Sequence, residues 1–211
     1  MKDFLLILFG LTMVYLALTS RYKAYIQMIG VQGLILFLLV ISDYESLDLS
    51  SIIFLSFETL FFKALLIPFL LFTVLKKSPV TRDSGADIPQ FYSIVVETMI
   101  FIAGFWIASW SSSLHTDIKP LFFGISIATI LTALFIIVTR KRILTHVMGY
   151  MILENSIFLL CLSIASELPF VVNLGVLLDI FIAVFVFGLF VVRIQSTFDD
   201  MTIDQLSNLR D

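Results

Sequence analysis

Five ionisable side chains interrupt runs that are otherwise apolar: Glu58, Lys63, Glu97, Glu154 and Asp179. At about 1.5 Å per helical residue, Lys63 stands roughly 18 Å into its run, Glu154 roughly 16 Å and Asp179 roughly 13 Å. A charge at the centre of a membrane helix costs about 2.5–3.5 kcal/mol on insertion scales, so such residues face a bundle interior or a wet path. Two chemistries fit a lysine with two carboxylates at that depth. One is an ion or proton relay, in which burial and a nearby ammonium pull a carboxyl's hold on its proton in opposite directions and so tune it. The other is a buried ion pair that clamps helices together. Glu58 and Glu97 lie one to two turns into their runs, where they read either as part of an ion path or as shoulder residues reaching headgroup water. His146 lies about one turn inside the Arg140–Arg142 edge and reads as interfacial, with a role in admitting protons as the alternative.

Other chemistries lack their residues. One cysteine, Cys161, and two histidines, His115 and His146, cannot assemble the four-ligand sets of iron–sulfur clusters or structural zinc. No redox cofactor of that kind is expected in this chain, and no nucleophile–base set suggests an intramembrane enzyme. Cys161 stands in an apolar run and reads as a small core residue. A net charge of -3 without a basic stripe argues against nucleic acid as a partner.

The elements that must position these groups follow from composition. Of 211 residues, 60% are hydrophobic, 14% are charged and 22 are Phe, with a mean hydropathy of +1.08. A water-soluble fold cannot hide that much apolar surface, whereas a bilayer core of about 30 Å takes helices of roughly 20 residues. Backbone groups in lipid must pair internally, and the short alternating segments of a barrel are absent, so the expectation is an all-α transmembrane bundle. Apolar stretches between charged punctuation give about seven spans, near 4–19, 24–42, 51–75, 91–110, 120–139, 143–166 and 170–192. Of 13 basic residues, all but Lys2, Lys63 and Lys119 fall on one side of this arrangement. The positive-inside rule then puts the N-terminus outside and the C-terminus in the cytoplasm. The first run also has the lysine and small residues of a cleaved signal peptide, but cleavage would remove the span that the repeat below requires.

Arg21, Lys23 and Gly30 recur at the same spacing as Arg140, Arg142 and Gly149, each set opening an apolar helix. A parallel repeat of three-helix units is the expectation, with a chance match of basic residues at membrane edges as the alternative. The units are 1–77 and 120–195, joined by a loop and linking helix at 78–119 and followed by a cytoplasmic tail at 196–211. Pro68 lies five positions after Lys63 and removes the donor for the Ala64 carbonyl, which predicts a distorted helix beside the charge.

At these residues the sequence resembles a known group. RKRILTHVMGYMILENSIFLL from Arg140, LLDIFIAVFVFGLFVVR and the closing MTIDQLSNLRD resemble the small K-type subunit of respiratory complex I, with Asp179 on its third-helix carboxylate. Glu154 does not coincide with that subunit's second-helix carboxylate, whose slot holds Met151 here and Gln32 in the first repeat. Glu154 falls one turn away on the same helix face. Across nearly the whole chain the sequence is similar to component E of hydrogenase-4 type membrane complexes, a family like a duplicated K-type subunit. The segments KALLIP (Lys63–Pro68) and GYMILEN (Gly149–Asn155), Asp179, and the ending IDQLSNLRD carry that likeness.

The resemblance implies a membrane-arm subunit of a redox-driven ion-pumping complex in a prokaryotic plasma membrane. Its implied partners are antiporter-like and anchor membrane subunits, with iron–sulfur and nickel–iron centres in other subunits of the assembly. Glu154, Asp179 and Lys63 would be the ion-relay residues, with Glu58, Glu97, His146 and Gln32 along the path. The competing reading is a structural adaptor that docks larger subunits and conducts nothing. A self-contained transporter is disfavoured because the loops are too short to form a gating domain.

Overall fold

A computed structural model describes residues 1–42, 49–77, 90–114 and 120–163. The described backbone is almost entirely helical: α1 (Lys2–Leu18), α2 (Tyr22–Ser42), α3 (Leu49–Glu58), a π-helical segment (Thr59–Leu66), α4 (Ile67–Lys77), α5 (Gln90–Leu114), α6 (Pro120–Thr139) and α7 (Ile143–Ser163). α3, the π segment and α4 run on without a break, which makes six helices among the described residues. Five of these are long and apolar enough to cross a membrane. α1, with 17 residues, is about 25 Å long and a little shorter than the hydrocarbon core. The chain is a multi-pass membrane protein. The helix expected at 170–192, with Asp179, lies outside the described residues.

Two apolar clusters hold the bundle, and their membership reverses from helix to helix. Leu5, Leu6 and Phe9 of α1 join Leu36 and Leu39 of α2, Phe122 and Ile125 of α6, and Phe158 and Leu162 of α7. Met13 and Leu16 join Tyr25 and Ile29, Leu71 and Leu75 of α4, Ile136, and Met148 and Ile152. Successive helices therefore run up and down, and each cluster fills one half of the bundle. At one end Arg140 Nη2 donates to the Thr19 carbonyl at 3.1 Å. The α1–α2 and α6–α7 turns thus sit side by side at the same membrane edge, as the charge pattern requires of Arg21 and Arg140.

Between the clusters lies a polar layer. Thr12 falls between Phe9 and Met13, Gln32 between Ile29 and Ile35, Lys63 between Leu55 and Ile67, Thr129 between Ile125 and Ala133, and Glu154 with Asn155 between Ile152 and Phe158. The outward faces are apolar, with Phe54, Phe57, Phe69, Met99, Trp106 and Val138 all exposed. In water that surface would demand burial, but here lipid is the solvent.

The π segment answers the expectation of distortion near Pro68. The Ile67 N–H bonds the Phe62 carbonyl five residues back, the wider register that a missing proline donor favours. Gly33 of α2 packs directly on this turn: a Cβ there would meet Ala64 N and Lys63 C at 2.7 Å. Backbone approach that close needs glycine, which is how membrane helices gain contact without a hydrophobic driving force.

Candidate functional site

The polar layer contains a connected site built by α1, α2, the π segment and α7. Lys63, only 1% exposed, donates to Glu154 Oε1 at 3.4 Å and to Asn155 Oδ1 at 3.5 Å. Asn155 Nδ2 donates to Gln32 Oε1 at 3.3 Å, and Gln32 Nε2 donates to Thr12 Oγ1 at 2.9 Å and Met13 Sδ at 3.1 Å. Thr12 Oγ1 ends the chain on the Phe9 carbonyl at 2.6 Å. Along the path from the ammonium through Asn155, Gln32 and Thr12 to the Phe9 carbonyl each donor points the same way, so the dipoles of the amides and the hydroxyl line up with the charge. The chain crosses the bundle at mid-depth instead of following a helix axis.

Local structure explains why Lys63 can sit there. The π register places its side chain toward α7, where the ammonium lies 4.7 Å from the centroid of the Phe158 ring. Phe158 follows Glu154 by one helical turn, so a single face of α7 offers a carboxylate, an amide oxygen at the adjacent Asn155 and a π face. An ion pair this deep gains at most about 5 kcal/mol of attraction at 3.4 Å and an effective dielectric of about 20, against a desolvation cost of several kcal/mol per ion. The extra partners make the arrangement tenable.

The structure thus brings together Lys63, Glu154 and Gln32 of the residues singled out from the sequence. It does not connect them directly with Glu97 or His146. Glu58 is buried on α3, one residue before the π segment. Glu97 is 2% exposed, and its Oε1 lies 2.8 Å from Thr132 Oγ1 of α6. His146, half-buried in the first turn of α7, places Nδ1 2.8 Å from the Arg142 carbonyl. Met151, in the slot of the expected second-helix carboxylate, is buried in the apolar cluster. Asp179 lies outside the described residues.

Sequence reasoning gave no role to Asn155, Thr12, Phe158 or Thr132. Asn155 had a signal, since two consecutive polar residues within one apolar helix cannot both be accidents of its surface. Thr12 had none, because a threonine can bond its own helix's carbonyls and costs little in lipid.

No family model matches the chain, and no solved structure does. Among curated proteins it is similar to the protein Rv0085 of Mycobacterium tuberculosis, 26% identical over 150 residues covering 71% of this chain and 68% of that one. It is also similar to hydrogenase-4 component E of Escherichia coli K12, 24% identical over 149 residues covering 70% of this chain and 68% of the relative. The same protein of Shigella flexneri matches equally. The likeness to component E, expected across nearly the whole chain, covers 70% of it.

Proposed function

We propose that this chain is a membrane subunit of a hydrogenase-4-like complex and that it contributes to ion translocation through Lys63, Glu154 and Asp179. The observation that carries this reading is the oriented hydrogen-bond chain running from a fully buried ion pair through Asn155 and Gln32 to Thr12. A packing clamp needs only the pair. A chain continuing across two further helices also spreads a change of charge at Glu154 sideways through the bundle, toward whatever packs beside α1. Glu154 would gain and lose a proton, Lys63 would set how tightly it is held, and Asp179 would be a second relay carboxylate.

The second reading, a structural adaptor, is favoured by the Phe158 contact, since a lysine held over a ring and between two oxygens is well restrained. The two separate by experiment. Glu154→Gln and Asp179→Asn keep shape and hydrogen bonding but remove titration. In the purified complex reconstituted in vesicles, each should lower ions pumped per electron while complex yield holds. Yield that falls before turnover supports the adaptor, and full pumping in both variants removes the relay.

A further inference from the structure

The seam between α5 and α6 is a different part of the bundle. Glu97, Phe101, Gly104 and Ala108 of α5 follow one another at helical spacing, against Thr132, Ala128 and Gly124 of α6. Packing is tight: a Cβ on Gly104 would lie 2.9 Å from the Gly124 carbonyl, and one on Gly124 would lie 3.1 Å from Ala108 Cβ. Into this seam Glu97 projects a carboxyl whose Oε1 meets Thr132 Oγ1 at 2.8 Å and whose Oε2 is buried with no hydrogen-bond partner among the described residues.

Hydrogens are few here. Thr132 Oγ1 also lies 2.9 Å from the Ala128 carbonyl of its own helix, and a hydroxyl has one hydrogen to give. If that hydrogen goes to Ala128, which has none to return, the contact with Glu97 needs a hydrogen from the carboxyl. An ionised Glu97 would instead hold a full charge on a share of one hydroxyl hydrogen, which leaves a buried charge largely unsolvated. Among the described residues nothing nearby offsets it. α5 packs on α6 and α1; α6 has no ionisable side chain between Pro120 and Thr139, and α1 has only Lys2 and Asp3 in its first turn and Tyr15, which is exposed.

We propose that Glu97 and Thr132 form a proton-holding site, in which Glu97 stands as a neutral carboxylic acid donating its hydrogen to Thr132 Oγ1 while Thr132 donates to the Ala128 carbonyl. The site is separate from the Lys63–Glu154 pair and does not depend on how that pair works. It gives the outer helix pair a titratable group of its own, loaded with one proton and set behind the apolar face that α5 presents with Met99, Ile102 and Trp106.

Infrared difference spectroscopy of the full protein in its membrane tests this without reference to pumping. Wild type minus Glu97→Gln, near neutral pH in sodium-free buffer, should show loss of one protonated-carboxyl C=O band and no loss of carboxylate bands. Thr132→Val should move that band to higher frequency, and Thr132→Ser should leave it in place. The second pair also serves if Glu97→Gln fails to accumulate. Loss of carboxylate bands in Glu97→Gln, or an unmoved carboxyl band in Thr132→Val, overturns the assignment. So does conversion of the band to carboxylate on adding sodium, which would make the site a sodium ligand instead.

Discussion

Lys63→Met is the most informative perturbation of the buried pair, because its cost has a ceiling that can be worked out. The substitution keeps the length of the side chain and removes the ammonium 3.4 Å from Glu154 Oε1. At an effective dielectric of about 20, that removes about 5 kcal/mol of attraction. Glu154 can escape most of this by taking up a proton, and protonating an ordinary carboxyl at pH 7 costs about 3.7 kcal/mol. The deficit at pH 7 is therefore capped near that value. It should shrink by about 1.4 kcal/mol for each unit the pH falls, because the folded variant then binds a proton that the unfolded chain does not. Glu154→Gln has the opposite sign. Its escape is loss of a proton from Lys63, costing about 4.6 kcal/mol at pH 7 and less as the pH rises. The double variant lacks both charges of the pair and should recover most of the loss, giving a coupling energy of about 2–5 kcal/mol. Equilibrium unfolding in mixed detergent–dodecyl sulfate micelles, for wild type, both singles and the double at several pH values, reads all of this. Additive losses, or singles whose deficits do not move with pH in opposite directions, would refute the pairing as the dominant force on Lys63.

Gly33→Ala should destabilise the bundle by about 1–3 kcal/mol in the same assay, since its Cβ would fall 2.7 Å from the π-segment backbone. Gly30→Ala, facing Pro68 Cγ at 3.3 Å, should cost clearly less, and equal costs would argue against the close approach. Single cysteines at Ser46 and Ser84, in a Cys161→Ala background, should react with impermeant reagent from outside and from the cytoplasm respectively. Reaction of Ser84→Cys from outside would invert the orientation read from the basic residues.

The sequence by itself determined the solvent, the class of fold and the charges that had to be explained. Runs of about 20 apolar residues admit little but membrane helices, because lipid leaves no other way to satisfy the backbone, and so the spans near 24–42 and 120–139 match α2 (Tyr22–Ser42) and α6 (Pro120–Thr139) closely. A lysine and two carboxylates at mid-depth must likewise find partners, which made Lys63, Glu154 and Asp179 legible as a set of interest before any contact was known. That Lys63 and Glu154 are partners of each other was not legible, since the two are far apart in the chain and one-dimensional depth says nothing about which helices are neighbours. The tertiary structure decided that Gln32 and Asn155 meet, that Thr12 closes the chain, and that Glu97 faces a threonine and, among the described residues, no cation. It also showed that the expected distortion at Pro68 takes the form of a π register, against which Gly33 lets α2 press. Depth in the membrane is set by local composition, whereas adjacency is set by packing across the whole bundle, and the polar layer exists only where the two coincide.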